Sequence, residues 1–149
     1  MILGTPDLDC HAGAVTMVDG GFDPLHAGHV GYFAAAAELG LPVLCNVTCD
    51  AWVRRKHRVL LSQQERATVI DAIRYVDLVH AGDGTTGEVL RRLRPRFYAK
   101  GEDWRGRLPD EELRICEEFG IEVVYLDTVV ASSSAILERY DARTSEPAA

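Results

Sequence analysis

The stretch Ala14-Val-Thr-Met-Val-Asp-Gly-Gly-Phe-Asp-Pro-Leu-His-Ala-Gly-His-Val30 decides how the chain is read. Ala14–Val18 is a short apolar run that reads as a buried strand, and Gly20-Gly21 ends it. Val30, Phe33, Ala34 and Ala37 then recur at helical spacing, with Gly40 as a stop signal before Pro42. Strand, glycine loop and helix in direct succession make the first unit of an alternating α/β chain.

The same punctuation repeats downstream. Pro42–Thr48 is the second strand. Ser62-Gln-Gln-Glu65 is a capping box, in which the Ser hydroxyl accepts a backbone N–H and the Glu reaches back. It opens a helix with Val69, Ile70 and Ile73 inward. Val76–His80 is the third strand. Thr85-Thr-Gly-Glu88 is a second capping box, opening a helix through Leu90 and Leu93 that Pro95 ends. Arg96–Ala99 is the fourth strand. Asp110 caps a helix carrying Leu113, Cys116 and Phe119, which Gly120 stops. Ile121–Leu126 is the fifth strand, and Ser132-Ser-Ser134 precedes a last helix with Ile136 and Leu137. The expected fold is α/β, a single Rossmann-like doubly wound domain with a five-stranded parallel sheet over residues 14–140. Residues 1–13 and 141–149 are expected to be flexible.

Composition bounds the function. The chain has 149 residues, 47% hydrophobic and 26% charged, which suits one globular domain with its own core. Sixteen basic against 23 acidic side chains leave a net charge of −7, which argues against a surface built to grip nucleic acid or an anionic membrane. The first residues carry neither a basic segment nor an apolar one of signal-peptide type, and no apolar run is long enough to span a bilayer. Cys10, Cys45, Cys49 and Cys116 lack the spacing of a disulfide scaffold or a zinc site and read as free thiols in a cytoplasmic protein; no metal ligand is assigned. Only two of the basic residues are lysines, Lys56 and Lys100.

In an open α/β sheet, ligands bind beyond the carboxyl ends of the strands. After the first strand comes Asp19-Gly-Gly-Phe-Asp-Pro-Leu-His26-Ala-Gly-His29. After the second come Asp50 and Arg54-Arg-Lys56-His-Arg58. After the third comes Gly82-Asp-Gly84, after the fourth Lys100-Gly-Glu-Asp103-Trp104, and after the fifth the Ser triplet. Both lysines therefore fall on this edge. The first loop lacks the Gly-Lys-Ser/Thr of a Walker loop and the spacing of a dinucleotide-binding loop. It carries two imidazoles three apart at a helix start, with Gly28 between them. Such a start offers free N–H groups to an anion, and two His donors suit charge developing on phosphate oxygens.

Gly21-Phe22-Asp23-Pro24-Leu25-His26-Ala27-Gly28-His29 resembles the signature of the cytidylyltransferase-like nucleotidyltransferase superfamily. Ser132-Ser133-Ser134-Ala135-Ile136 resembles its second signature, and the match is collinear from about Val15 to Leu137. The resemblance implies transfer of NMP from an NTP, carried as its Mg²⁺ complex, to a small phosphorylated acceptor, with pyrophosphate leaving and no covalent enzyme intermediate. It implies catalytic roles for His26, His29 and Lys56. It implies nucleotide contacts from Gly20, Gly21, Phe22, Asp23, Gly28, Arg66, Ser132, Ser133 and Ser134. Asp50, Lys100, Asp103 and Trp104 would bind the acceptor. A homodimer is usual among the resembling proteins.

Two branches compete. Asp50, Lys56-x-Arg58 and Lys100-Gly-Glu-Asp103 resemble the adenylyltransferase domain of heptose-phosphate enzymes. Ile73-Arg74-Tyr75-Val76-Asp77 and Asp103-Trp104-x-Gly106 look like glycerol-3-phosphate cytidylyltransferases. The latter carry an Arg before the serines that Asp127-Thr-Val-Val-Ala-Ser132 lacks, and Asp19 replaces a small polar residue or Asn. The balance favours ATP and a sugar phosphate such as heptose 1-phosphate. The alternative is CTP with glycerol 3-phosphate or another polyol, alkyl phosphate or phosphonate. A non-catalytic nucleotide-binding regulator is the rival class. A flavodoxin or receiver domain would share the α/β pattern but leave the His pair unexplained. The Ser triplet read blandly is a helix cap, and Lys100 a surface residue. His11, His57 and His80 read as bystanders, and Arg91, Arg92, Arg94 and Arg96 as an exposed helix end.

Overall fold

A computed structural model describes residues 1–128 and 132–144. Six strands form one parallel sheet: β1 (Ile2–Leu3), β2 (Thr16–Gly20), β3 (Val43–Val47), β4 (Leu78–Ala81), β5 (Phe97–Gly101) and β6 (Glu122–Leu126). Their spatial order is β1-β4-β3-β2-β5-β6. The helices are α1 (Ala27–Ala37), α2 (Asp50–Val53), α3 (Gln63–Asp71), α4 (Thr86–Leu93), α5 (Asp110–Phe119) and α6 (Ser133–Thr144).

The expected doubly wound α/β fold is present, with one strand more than the sequence pattern gave. β1 pairs with β4 through Ile2 to Val79 and Leu3 to His80. A 3₁₀ helix over Thr5–His11 follows and buries Leu8 completely. Residues 1–13, expected to be flexible, are therefore packed into the domain. A two-residue strand carries no periodic signal, and one Leu in a single turn carries none either. At the other end α6 continues past Tyr140 to Thr144; residues 145–149 of the expected tail lie outside the described residues.

Side chains alternate across the sheet. Val18, Cys45 and Val79 face α1 and α3, joining Phe33, Ala36, Ala67 and Ile70 in one core. Met17, Leu44 and Tyr98 face the opposite way, joining Leu8, Leu90, Leu93 and Ile115 in the other. Both capping boxes form as expected. Ser62 Oγ accepts from Glu65 N while Ser62 N donates to Glu65 Oε2, and Thr85 and Glu88 repeat the exchange.

Three helix faces differ from expectation. On α1 the buried positions are Tyr32, Phe33 and Ala36, with Val30, Ala34 and Ala37 only half-buried. On α3 Val69 is 43% exposed, because the inward row is Arg66, Ala67 and Ile70. A charged residue on that row hid the true face from a hydrophobicity pattern. On α5 Ile115 and Cys116 turn inward and Leu113 lies at the surface, while Pro109 rather than Asp110 takes the N-cap position.

The strand order reverses between β2 and β5. That is where an open α/β sheet leaves a crevice at its carboxyl edge. Asp19 and Gly20 end one side of it, and Lys100 and Gly101 the other.

Candidate active site

A cavity of about 320 Å³ opens at this crevice. The expected residues Gly20, Gly21, Phe22, Asp23, Gly28, His29, Lys56, Lys100, Asp103, Trp104, Ser132, Ser133 and Ser134 all line it. Three expected residues do not. His26 stands behind His29, and Arg66 and Asp50 belong to the frame around the cavity.

The loop after β2 is shaped by close packing. Phe22 adopts a left-handed backbone (φ 53°), a conformation uncommon for a bulky side chain. A Cβ on Gly20 would meet its ring at 3.1 Å, closer than ordinary packing, so glycine gives the ring room to fold back. The Phe22 ring meets His29 edge-on at 4.9 Å and Phe33 at 5.2 Å, which fixes the entry into α1.

The two imidazoles are then set by backbone N–H groups. His26 Nδ1 accepts from Gly28 N at 3.1 Å, and His29 Nδ1 accepts from His26 N at 3.3 Å. Because each Nδ1 accepts, the proton of each neutral ring sits on Nε2. The pair stacks 3.7 Å apart. Burial, with His26 alongside, pushes His29 down to about 3, and burial also lowers His26. Both rings are thus neutral donors. His26 Nε2 is buried without a partner, one of three such side-chain atoms among the described residues.

The frame comes from two residues read as nucleotide ligands. Arg66 is 1% exposed. It donates to the carbonyls of Leu61 (3.1 Å), Gly21 (2.6 Å) and Thr48 (3.0 Å) and to Asp50 Oδ1 (2.6 Å). Its donors are engaged in tying three loops together, and Asp50 is its counter-ion. Asp23 accepts from Leu60 N at 2.8 Å and Leu61 N at 3.0 Å. Both ends of the segment bearing Lys56 are thereby pinned.

Lys56, between those ends, and Lys100, on β5, meet the two tryptophans of the chain. Lys56 Nζ lies 4.2 Å from the Trp52 ring and 5.6 Å from Trp104, and Lys100 Nζ lies 4.3 Å from Trp104. Burial lowers the Lys56 ammonium, and Lys100 adds to the effect. Lys100 is no surface residue: it is 6% exposed and donates to Asp19 Oδ1 at 2.7 Å. Asp103 lies over Gly101, where a Cβ would come within 2.5 Å of its Oδ1. At the N-terminus of α6, Ser132 Oγ accepts from Ala135 N at 3.0 Å as a cap, and Ser133 Oγ donates to Pro24 O at 2.8 Å. That bond joins the second signature to the first. The Ser134 side chain is exposed at the cavity.

Sequence reading missed Tyr32, Trp52, Thr86, Pro109, Glu112 and Thr128 among the lining residues, and His57, taken as a bystander, lines it too. Trp52 stands four before Lys56, a helical-contact spacing that could have flagged it. Glu112 looks like an ordinary first-turn acid, and nothing in its neighbourhood marks it. His80 is buried against Asn46 and Thr5.

The family profile described as cytidylyltransferase-like matches residues 17–139, more than half of the chain. The chain belongs to this family. It is 40% identical to the bifunctional protein HldE of Streptomyces coelicolor over 135 residues, covering 85% of this chain and 28% of that one. The HldE protein of Magnetococcus marinus is 41% identical over 95 residues, 61% of this chain and 20% of its own. The chain thus spans about a quarter of the length of these relatives. Among solved structures, a lipopolysaccharide core biosynthesis protein from Thermoplasma volcanium superposes with a TM-score of 0.67 at 23% identity, over 78% of this chain and 98% of that one. Pantothenate synthetase from Thermus thermophilus gives 0.60 at 17%, over 87% of this chain and 62% of that one. At those identities the superpositions speak for the fold. No helix among the described residues is long and apolar enough to cross a membrane.

Proposed function

We propose that the protein transfers the NMP of an NTP, ATP by preference, to a sugar phosphate such as heptose 1-phosphate. The observation that carries this is the pairing of two neutral Nε2 donors at the start of α1 with a second helix N-terminus at α6, joined through Ser133 and Pro24. The resemblance to heptose-phosphate adenylyltransferases and the similarity to HldE proteins support the acceptor.

An acceptor phosphate oxygen attacks the α-phosphorus. One P–O bond forms, the P–O bond to the β-phosphate breaks, and pyrophosphate carries away the electron pair. His29 lines the cavity, and its Nε2–H donates to a non-bridging oxygen as charge builds there. His26 Nε2–H, buried without a protein acceptor, is the second neutral donor of the pair. Lys56 neutralises charge on the triphosphate, and Ser134 with the first N–H groups of α6 holds the leaving phosphates.

Mg²⁺ enters as part of the NTP. Among the described residues no cluster of three His, Cys, Asp or Glu side chains offers it a cage, and both Asp19 oxygens already accept protein donors. No step is assigned to a protein-held metal.

The test is pyrophosphate release from each NTP with a panel of sugar and polyol phosphates in Mg²⁺ buffer. Release with ATP and heptose 1-phosphate is expected. Release only with CTP and glycerol 3-phosphate moves the protein to the alternative branch. Silence with every pair at high enzyme, together with tight nucleotide binding by calorimetry, makes it a regulator.

A further inference from the structure

One wall of the cavity holds a carboxyl that phosphate chemistry leaves without a task. Glu112 sits in the first turn of α5, where an acid ordinarily faces solvent and complements the helix dipole. Here it is half-buried and lines the cavity beside Thr86, Lys100 and Pro109. Its Oε2 lies 3.0 Å from the Tyr98 hydroxyl, and that same hydroxyl lies 3.1 Å from Asp19 Oδ1.

A phenol has one hydrogen, so it donates to one of these carboxyl groups only. The other oxygen faces a lone pair at hydrogen-bond distance unless it carries a proton. Asp19 is the worse seat for that proton. Lys100 Nζ already donates to its Oδ1 at 2.7 Å, and Thr86 Oγ1 to its Oδ2 at 3.0 Å. Burial pushes the Glu112 carboxyl up, and the Asp19 charge adds to it. Glu111 on the same helix acts in the same sense, while the Tyr98 bond and Lys100 oppose.

We propose that Glu112 is a specificity-determining residue of the acceptor subsite. Its neutral carboxyl O–H donates a hydrogen bond to the Tyr98 oxygen, and its carbonyl oxygen accepts one from a hydroxyl of the sugar phosphate. The proposal rests on the sugar-phosphate reading above and deepens it. Two features favour the acceptor over the NTP. Glu112 stands with the β5–α5 residues, whereas the donors for the triphosphate come from the α1 and α6 N-termini. A neutral carboxyl also avoids repelling an anionic acceptor, and with its own hydrogen engaged it offers only an acceptor atom, which a sugar hydroxyl matches.

Two variants separate this from a charge effect. In Glu112→Gln the amide N–H donates to Tyr98 and the C=O keeps its place; Glu112→Leu removes both. Calorimetric titration with heptose 1-phosphate should leave E112Q within about threefold of the parent Kd and weaken E112L about tenfold, the loss of one hydrogen bond. ATP affinity should be unchanged in both, and melting curves check the fold. An infrared pH titration of the substrate-free protein should show a neutral-carboxyl band that persists above the ordinary Glu value of about 4.3 and that E112Q loses.

Binding by E112L equal to the parent, or by E112Q as weak as E112L, overturns the proposal. So does the absence of the band. A parent that binds no sugar phosphate overturns the acceptor reading and the hydroxyl contact together, while the band reports the Glu112 proton by itself.

Discussion

His26 and His29 stack at 3.7 Å with an angle of 23° between their rings, and each accepts a backbone N–H of the same turn on its Nδ1. The helix start thus fixes orientation, tautomer and charge of both rings at once. The arrangement supplies hydrogen-bond donors that do not depend on protonation.

The first prediction concerns turnover. His29→Ala removes the donor nearest the cavity and should lower kcat by about a hundredfold or more, the loss typical of an oxyanion-type donor. The KM for NTP should change far less. Between about pH 6 and 8 kcat should show no limb from His29, because its imidazolium form exists only near or below about 3 and the neutral ring keeps its Nε2–H. Steady-state pyrophosphate assays across that range check both. Near-normal turnover in the variant removes His29 from the mechanism.

The same burial predicts a pH dependence of stability. The folded His29 titrates at about 3 and the unfolded one at the ordinary 6.5. Between these values the unfolded chain binds the extra proton, so acid favours unfolding. Stability from this group is complete above the unfolded value and is lost as pH falls from 6.5 toward 3. His26 and His80, lowered by burial, act in the same direction. Urea midpoints at about pH 7 and pH 5 should differ, and the difference should shrink in His29→Ala. An unchanged pH difference in the variant rejects the assignment.

Arg66 gives a structural prediction. Its guanidinium is the shared donor for Leu61, Gly21 and Thr48 carbonyls and the partner of Asp50. Arg66→Met leaves those acceptors and one carboxylate without it, at a cost of about 3–5 kcal/mol by analogy with broken buried pairs. Denaturant unfolding measures it. A loss below about 1 kcal/mol, the value of an exposed pair, would mean that water replaces the guanidinium.

These residues also show where sequence reading stops. The strand–loop–helix around His26 and His29 is legible because its spacing is local, and so are the capping boxes, whose partners are three residues apart. The ends of strands are legible as a site because parallel sheets bring them together. Arg66, expected to contact the nucleotide, donates instead to the carbonyls of the loops around the cavity. Whether a guanidinium meets ligand or backbone depends on carbonyls 5, 18 and 45 positions away. Glu112 and Asp19 are 93 residues apart and meet only through Tyr98. A helix-start Glu and a strand-end Asp carry no mark of that meeting.

The last prediction isolates the pair that marks the cavity floor. Lys100 and Asp19 are each under one-tenth exposed, on adjacent strands. Asp19→Asn leaves the buried ammonium without its charged partner at 2.7 Å and should cost about 3–5 kcal/mol. Lys100→Met leaves Asp19 with the Tyr98 and Thr86 hydroxyls and should cost less. The double variant should be more stable than the sum of the two losses implies, with a coupling above about 1 kcal/mol, because residues in direct contact do not add. Urea unfolding of all four proteins closes the cycle. Additive losses would show that the two charges do not stabilise each other. Asp19→Asn also removes a charge that pushes Glu112 up. In that variant the neutral-carboxyl band should titrate away at lower pH than in the parent, and an unmoved band would separate the two carboxyl groups.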